Sequence, residues 1–313
     1  MNKTSKRFKS QLLVRSMALG ITLTVAAGAG AAAAAPLAST ANVPAQTVTA
    51  QSSQAIYDQF QIYLKAPGKL SQARKYLLNH ISKTSPHHAT LMTLHLENAQ
   101  RADLASFTKK FETGILDGVR VESPTFTNLL AVVKDPAKRK LLIEARDRGY
   151  QIATQEGMYY PVINYSEYKR YSPYVNRDIA AYIDIMAVEA NKPALGDAAL
   201  LISWDEALKR GLEREKFLDT YKVSNRRANV ERELEFSKMH IFYGANNTPL
   251  FDYDTKTIEP GALKTYKKAL ENGAGSSKLL GTLQKFMDVL EKNGGKRTAD
   301  VDKFLKANVP LKF

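Results

Sequence analysis

Along most of this chain, apolar residues recur every three or four positions, the spacing that gives an α-helix one buried face. Ile56, Phe60, Tyr63 and Leu64 make the first run, and Pro67-Gly68 breaks it. Ala73, Leu77, Leu78 and Ile81 make a second behind Ser71. Ser85-Pro86 opens a third, in which Leu91, Leu94, Ala99, Ala102, Leu104 and Phe107 carry the helix toward Phe111. Proline fits there because the first helical turn needs no N–H donor. Ser123-Pro124 and Asp135-Pro136 announce two more. The second of these places Leu141, Leu142, Ala145 and Tyr150 on one face and ends near Gly157.

The pattern then lapses and resumes. Residues 156–175 are poor in helix formers and hold Tyr159, Tyr160, Tyr165, Tyr168, Tyr171 and Tyr174 with Pro161 and Pro173. From Asn176 the helical period returns through Ile179, Tyr182, Ile183 and Met186. Ser203, with Glu206 three residues on, reads as a capping box ahead of Leu208, Leu212 and Phe217. Val230, Leu234 and Phe242 follow, then Leu263, Tyr266 and Leu270, then Leu280, Leu283, Phe286 and Leu290, and last Val301, Phe304 and Leu305. Strand signals are confined to short pieces near Leu200 and Phe251. The expected fold is all-α: an irregular bundle of about ten helices with a tyrosine-rich non-helical segment in the middle. The helix–turn–helix stretch from Leu208 to Ser237 has no second copy at the ~34-residue spacing of a helical repeat, which argues against a solenoid.

The front of the chain has a different texture. The first 50 residues contain no Asp or Glu. Lys3, Lys6, Arg7, Lys9 and Arg15 precede an uncharged, alanine-rich stretch from Met17 to Ala35, the pattern of a secretory signal peptide. Small residues place cleavage after Ala41 or after Ala50. That stretch is 19 residues, near the ~20 that span a bilayer, but more than half of it is Ala and Gly, which disfavours a permanent membrane span. The expected division is a signal peptide over 1–41, a disordered spacer over 42–54, an N-terminal helical half over 55–155, a tyrosine-rich linker over 156–175, and a C-terminal helical half over 176–313 that continues the same domain. The mature form is expected not to span a membrane. Its expected location is secreted or extracellular, with association to a cell wall open to it.

Charge and cysteine content narrow the partners. The formal net charge is +14, and removal of residues 1–41 leaves +9. Outside a cell, a positive surface suits an anionic wall polymer or glycan, or an envelope protein. Export argues against nucleic acid. The absence of cysteine excludes disulfides, thiol catalysis and Cys-type metal sites.

No nucleotide-binding, serine-hydrolase or zinc-protease motif is present. His88 and His95 stand seven residues apart, ~10 Å along one helix, too far to share an ion, and no metal or cofactor is expected. Asn246-Asn247-Thr248-Pro249 lacks the dense acidic spacing of a calcium loop. Eight of the fifteen tyrosines fall between Tyr150 and Tyr182. Tyrosine joins a flat apolar face to a polar edge, so Tyr159, Tyr160, Tyr165 and Tyr168, with Asn164, form a candidate binding surface. The same residues suit a structural plug. Arg226 and Arg227 form the densest basic cluster and a candidate anion site. Glu156, and Asp184 within an otherwise apolar helix, are candidate acid–base groups. The leading expectation is therefore a non-catalytic, basic, exported helical protein of a bacterial-type cell envelope that binds a partner protein or an anionic or glycan component. The alternative is an envelope-acting hydrolase, on glycan or peptide, using Glu156.

Overall fold

The computed structural model describes residues 50–311. The signal peptide expected over 1–41 and the first part of the spacer, 42–49, lie outside the described residues. Among the described residues, 61% of which are helical, twelve α-helices and three short antiparallel strand pairs form the fold. The expected all-α architecture is therefore observed.

Helices α1 (Ala50–Lys65), α2 (Leu70–His80) and α3 (Pro86–Thr108) pack on one another. Helices α4 (Phe126–Val132) and α5 (Pro136–Asp147) follow. The Ser85 hydroxyl accepts from the His88 N–H, and Asp135 accepts from the Lys138 N–H, with Pro86 and Pro136 in the first turns. The Ser123-Pro124 start is displaced: α4 begins at Phe126, where Thr125 supplies the cap. The expected spacer is also shorter than its sequence suggests. Residues 50–54 belong to α1, and Ser53 is buried. Its hydroxyl accepts from the Ser85 N–H at 2.9 Å and bonds His88 Nδ1 at 2.7 Å. Ser53 thus serves an inter-helix contact, while Gln54 bonds Asp58 within α1.

The tyrosine-rich segment is not a plain linker. Strands β1 (Tyr150–Gln155) and β2 (Met158–Ile163) pair antiparallel, with Tyr150 opposite Ile163 and Gln155 opposite Met158. The boundary expected at 155/156 therefore cuts through a hairpin. Glu156 and Gly157 make its two-residue turn at φ 51° and 78°, both positive, as a type I′ connection requires. Tyr150 belongs to the strand, not to the preceding helix, because α5 stops at Asp147 and Gly149 turns the chain at φ 86°. A one-turn helix, α6 (Tyr165–Tyr168), follows, capped by Asn164.

Helices α7 (Arg177–Asn191), α8 (Trp204–Thr220) and α9 (Arg227–Tyr243) form the second half. They are joined to one another and onward by the hairpin β3–β4 (Leu195–Gly196, Ala199–Leu200) after α7 and β5–β6 (Gly244–Ala245, Thr248–Pro249) after α9. The capping box at Ser203 is half formed: its hydroxyl accepts from the Glu206 N–H, but the Glu206 carboxylate turns to Arg210. Helices α10 (Pro260–Leu270), α11 (Lys278–Lys292) and α12 (Ala299–Asn308) close the chain. Their apolar edges meet around Phe286, whose ring lies 5.5 Å from Phe242, 6.3 Å from Phe251 and 6.1 Å from Phe304. Buried apolar residues run from Phe60 to Val309 as one core. Among the described residues, no helix is long and apolar enough to cross a membrane.

Candidate functional site

Helix α3 carries a polar stripe on a buried face. Thr90, Thr93, Glu97 and Gln100 recur at three- and four-residue steps, so they share one side of the helix, and all four are buried. Buried polar groups need partners, and here the tyrosine-rich segment and α7 supply them. The Tyr165 and Tyr182 hydroxyls both donate to Glu97 Oε1 at 2.5 Å. Arg101 Nε donates to the same oxygen at 3.0 Å, and its Nη2 donates to the two tyrosine oxygens at 2.8 and 3.0 Å. Arg226 donates to Glu97 Oε2 through Nε at 2.8 Å, and to Asn98 Oδ1 through Nη2 at 2.9 Å. Tyr168 donates to Gln100 Oε1, and Gln100 Nε2 reaches the Arg148 carbonyl at 2.6 Å. The Thr90 hydroxyl accepts from the Asn176 N–H at 2.8 Å.

The electrostatics follow from these contacts. Burial alone would push the Glu97 carboxyl up. Arg226 and Arg101, with the two tyrosine hydroxyls, outweigh it and hold that carboxyl below its ordinary range. Burial and the neighbouring negative charge raise both Tyr165 and Tyr182, so their phenols stay protonated and donate. Chemically, this is a closed ion cluster. The carboxylate accepts from four donors and is only 2% exposed, so it does not face solvent where a substrate could meet it.

A second cluster joins α7, α8 and α9. Glu189 Oε2 accepts from Arg210 at 3.1 Å and from Arg214 at 2.8 Å, while its Oε1 accepts from the Ala194 N–H at 2.7 Å. Arg210 also holds Glu206 at 2.8 Å, and Arg214 donates to the Ser237 hydroxyl. Glu233 stands 3.8 Å from Arg214. Burial raises the Glu233 carboxyl; Arg214 opposes that shift and Glu189 adds to it. His240, buried nearby, is lowered by burial.

The residues singled out from sequence divide between interior and surface. Tyr165 and Tyr168 are interior, at 4% and 3% exposure, and belong to the α3 cluster. Asn164 is a helix cap. Tyr159 and Tyr160 are half-buried on β2, and Tyr159 donates to the Val119 carbonyl at 3.2 Å. The basic pair splits: Arg226 turns inward to Glu97, while Arg227 turns outward to Glu231 at 3.0 Å and to the Leu218 carbonyl. Glu156 is exposed on the hairpin turn. Asp184 is also exposed, 3.5 Å from Lys169, because it takes the outward position of α7 while Ile183 faces in. No ion pair or hydrogen bond joins Glu156 to Asp184 among the described residues. The histidines link helices: His88 stacks on Tyr57 at 5.2 Å, and His95 Nδ1 meets Gln61 Nε2 at 2.7 Å. No group of metal-ligating side chains is present among the described residues.

Sequence reasoning passed over Glu97, Gln100 and Arg101 on α3, and Arg210 and Arg214 on α8. The available signal was the stripe itself. Polar residues at 90, 93, 97 and 100 interleave with apolar ones at 92, 94 and 96, so α3 has no wholly polar face to give to water. The fold and site define an all-α protein whose interior is organised around paired charges. Comparison with protein families, with characterised proteins and with solved structures finds no match to this chain.

Proposed function

We propose that this is an exported, basic, non-catalytic helical protein, retained at a cell envelope by attraction to an anionic polymer. The observation that supports the reading is where the charge sits. The buried arginines Arg210, Arg214 and Arg226 each face a glutamate. The interior is therefore close to neutral, and among the described residues the excess of Lys and Arg over Asp and Glu, 39 against 31, is carried outside it. Exposed charge of one sign attracts a polyanion over about a Debye length, ~10 Å at 0.1 M salt. The tyrosine belt has a smaller part than the sequence suggested, since Tyr165 and Tyr168 are committed to Glu97 and Gln100. Tyr159 and Tyr160 keep part of their surface and remain the aromatic contact for a partner.

Salt extraction of the native envelope tests the reading. At ~1 M salt the Debye length falls to ~3 Å, and the protein is expected to elute. Its intact mass should correspond to a chain starting at residue 42 or 51. Retention at that salt concentration overturns the electrostatic reading, and a mass that includes residues 1–41 overturns export.

A further inference from the structure

We propose that the outer faces of α10, α11 and α12 are the polymer-binding surface, an inference that rests on the retention reading above. Residues 260–311 hold ten Lys and Arg against five Asp and Glu. Residues 156–259 hold fourteen against seventeen, so the middle of the chain contributes no surplus. Residues 50–155 hold fifteen against nine, a surplus of six spread over twice the length of the C-terminal segment, and at least seven of the fifteen are engaged. Arg74, Arg101, Lys110, Arg146 and Arg148 form ion pairs there, and Lys134 and Arg139 donate to carbonyl oxygens. In the C-terminal segment, by contrast, nine lysines are all exposed: 264, 267, 268, 278, 285, 292, 303 and 306 on the helices and 296 between α11 and α12. The lysine ion pairs among the described residues are Lys110–Glu144, Lys169–Asp184 and Lys238–Glu235, all elsewhere.

The helices array these charges in order. Lys278, Lys285 and Lys292 are seven residues apart, two turns, so they line one edge of α11 at steps of ~10 Å. The opposite edge, Leu279, Leu283, Phe286 and Leu290, is buried. Lys264, Lys267 and Lys268 lie opposite Tyr266 on α10. On α12, Lys303 and Lys306 lie opposite Val301 and Leu305, beside a shallow hollow of about 560 Å³. Lysine is a compact charge on a flexible stem and sets no fixed geometry, whereas arginine's planar fork reads a defined one. Nine free lysines therefore fit a flexible chain of spaced phosphates or carboxylates. A lipid surface fits less well, because a membrane-surface helix needs an exposed apolar edge. Here those edges are buried, and among the described residues the large apolar side chain exposed beyond residue 260 is Leu311.

The test titrates the full mature chain with long-chain inorganic polyphosphate at low salt. At ~1 kcal/mol for each lysine near an anionic surface, the triple variant Lys278→Gln, Lys285→Gln, Lys292→Gln is expected to bind roughly a hundredfold more weakly. A control removing the same charge from exposed positions, Lys69→Gln, Lys75→Gln, Lys83→Gln, is expected to lose only a few-fold. The single charge reversal Lys285→Glu changes two unit charges at one position on the same edge and is expected to weaken binding about thirtyfold. Equal losses in the two triples, or unchanged binding by the α11 triple, overturn the assignment while leaving retention by charge intact. No binding by the parent chain overturns the retention reading itself. Tighter binding to phosphatidylserine vesicles than to polyphosphate overturns the polymer in favour of a lipid surface.

Discussion

Around α3, a carboxylate at 2% exposure meets two arginines and two tyrosine hydroxyls. Across α10–α12 and the turn that joins α11 to α12, nine lysines stand in solvent above a core of leucine and phenylalanine. The first arrangement draws together α3, the tyrosine-rich segment, α7 and the start of α9, elements up to 129 residues apart in the chain. The second makes no side-chain ion pair through a lysine. Charges taken out of water need an opposite charge or hydrogen-bond partners beside them, so they fix how elements meet. Charges left in water cost the fold little and remain available to attract a partner. The same residue types thus serve architecture in one region and long-range attraction in the other.

The largest effect that tests this contrast comes from breaking each region at its centre. Glu97→Gln leaves Arg226 buried without its counter-charge and is expected to destabilise by ~3–5 kcal/mol in urea unfolding. Phe286→Ala opens a cavity in the C-terminal core and is expected to cost a similar ~3–5 kcal/mol. What separates them is the partner substitution. Glu97→Met with Arg226→Met should cost less than Glu97→Gln alone, since the buried Arg226 charge goes with its partner and Arg101, 41% exposed, can turn to water. A double variant at least as unstable as the single one would mean that the cluster acts through shape, not charge. The Glu97 effect also has a sign in pH. Its folded-state value is depressed, so its stabilisation is fully present above the ordinary unfolded value of ~4.3 and is lost as pH falls through the lower folded value. The gap between parent and Glu97→Gln should therefore close on acidification below about pH 5.

Next in size is Tyr182→Phe, which removes one donor to the charged oxygen and should cost ~1.5–3 kcal/mol. Tyr159→Phe removes a donor to a neutral carbonyl and should cost only ~0.5–1.5 kcal/mol. Equal costs would show that the charge on Glu97 adds nothing to its hydrogen bonds.

Glu233 sharpens the contrast from the opposite side. Burial raises its carboxyl, so the folded state binds its proton more tightly than the unfolded chain does. Its ionised form therefore costs stability once pH rises through the unfolded value, and the full cost is present above the raised folded value. Glu233→Gln is expected to stabilise the protein by up to ~1 kcal/mol at neutral pH, with the gain vanishing below about pH 4. A loss at neutral pH would show that its contact with Arg214, at 3.8 Å, is a net stabilising pair.

How far the sequence announces these features depends on how local they are. Helices with a serine or aspartate cap ahead of proline, at Ser85-Pro86 and Asp135-Pro136, begin where the residues indicate, since cap and first turn lie within four positions. The hairpin at Tyr150–Ile163 was hidden because Glu156-Gly157 is a rarer type I′ pair, and because Tyr150 also fits the helical period of α5. Ser53 looked like spacer because its partners, Ser85 and His88, lie more than 30 positions away. The α3 cluster was hidden for the same reason at greater length. Glu97 shows only as one carboxylate beside histidines, and nothing local reveals that Tyr165, Tyr182 and Arg226 converge on it. The tyrosine concentration was visible, but its inward direction depends on the polar stripe of α3.

The smallest effect is the most discriminating for the C-terminal region. If its lysines serve attraction alone, then Lys278→Gln, Lys285→Gln, Lys292→Gln should leave the unfolding midpoint almost unchanged, within ~0.5 kcal/mol of the parent. The three charges stand ~10 Å apart, about one Debye length at 0.1 M salt, so their mutual repulsion is already largely screened. Their removal should relieve little, and the residual difference should shrink further as salt is added. A loss above ~1 kcal/mol would mean that the aliphatic stems of these lysines cover the apolar edge of α11, which would make them part of the core's packing. Stability that holds while polyphosphate affinity falls would separate the surface charge from the fold, as the glutamate at the centre of α3 cannot be separated.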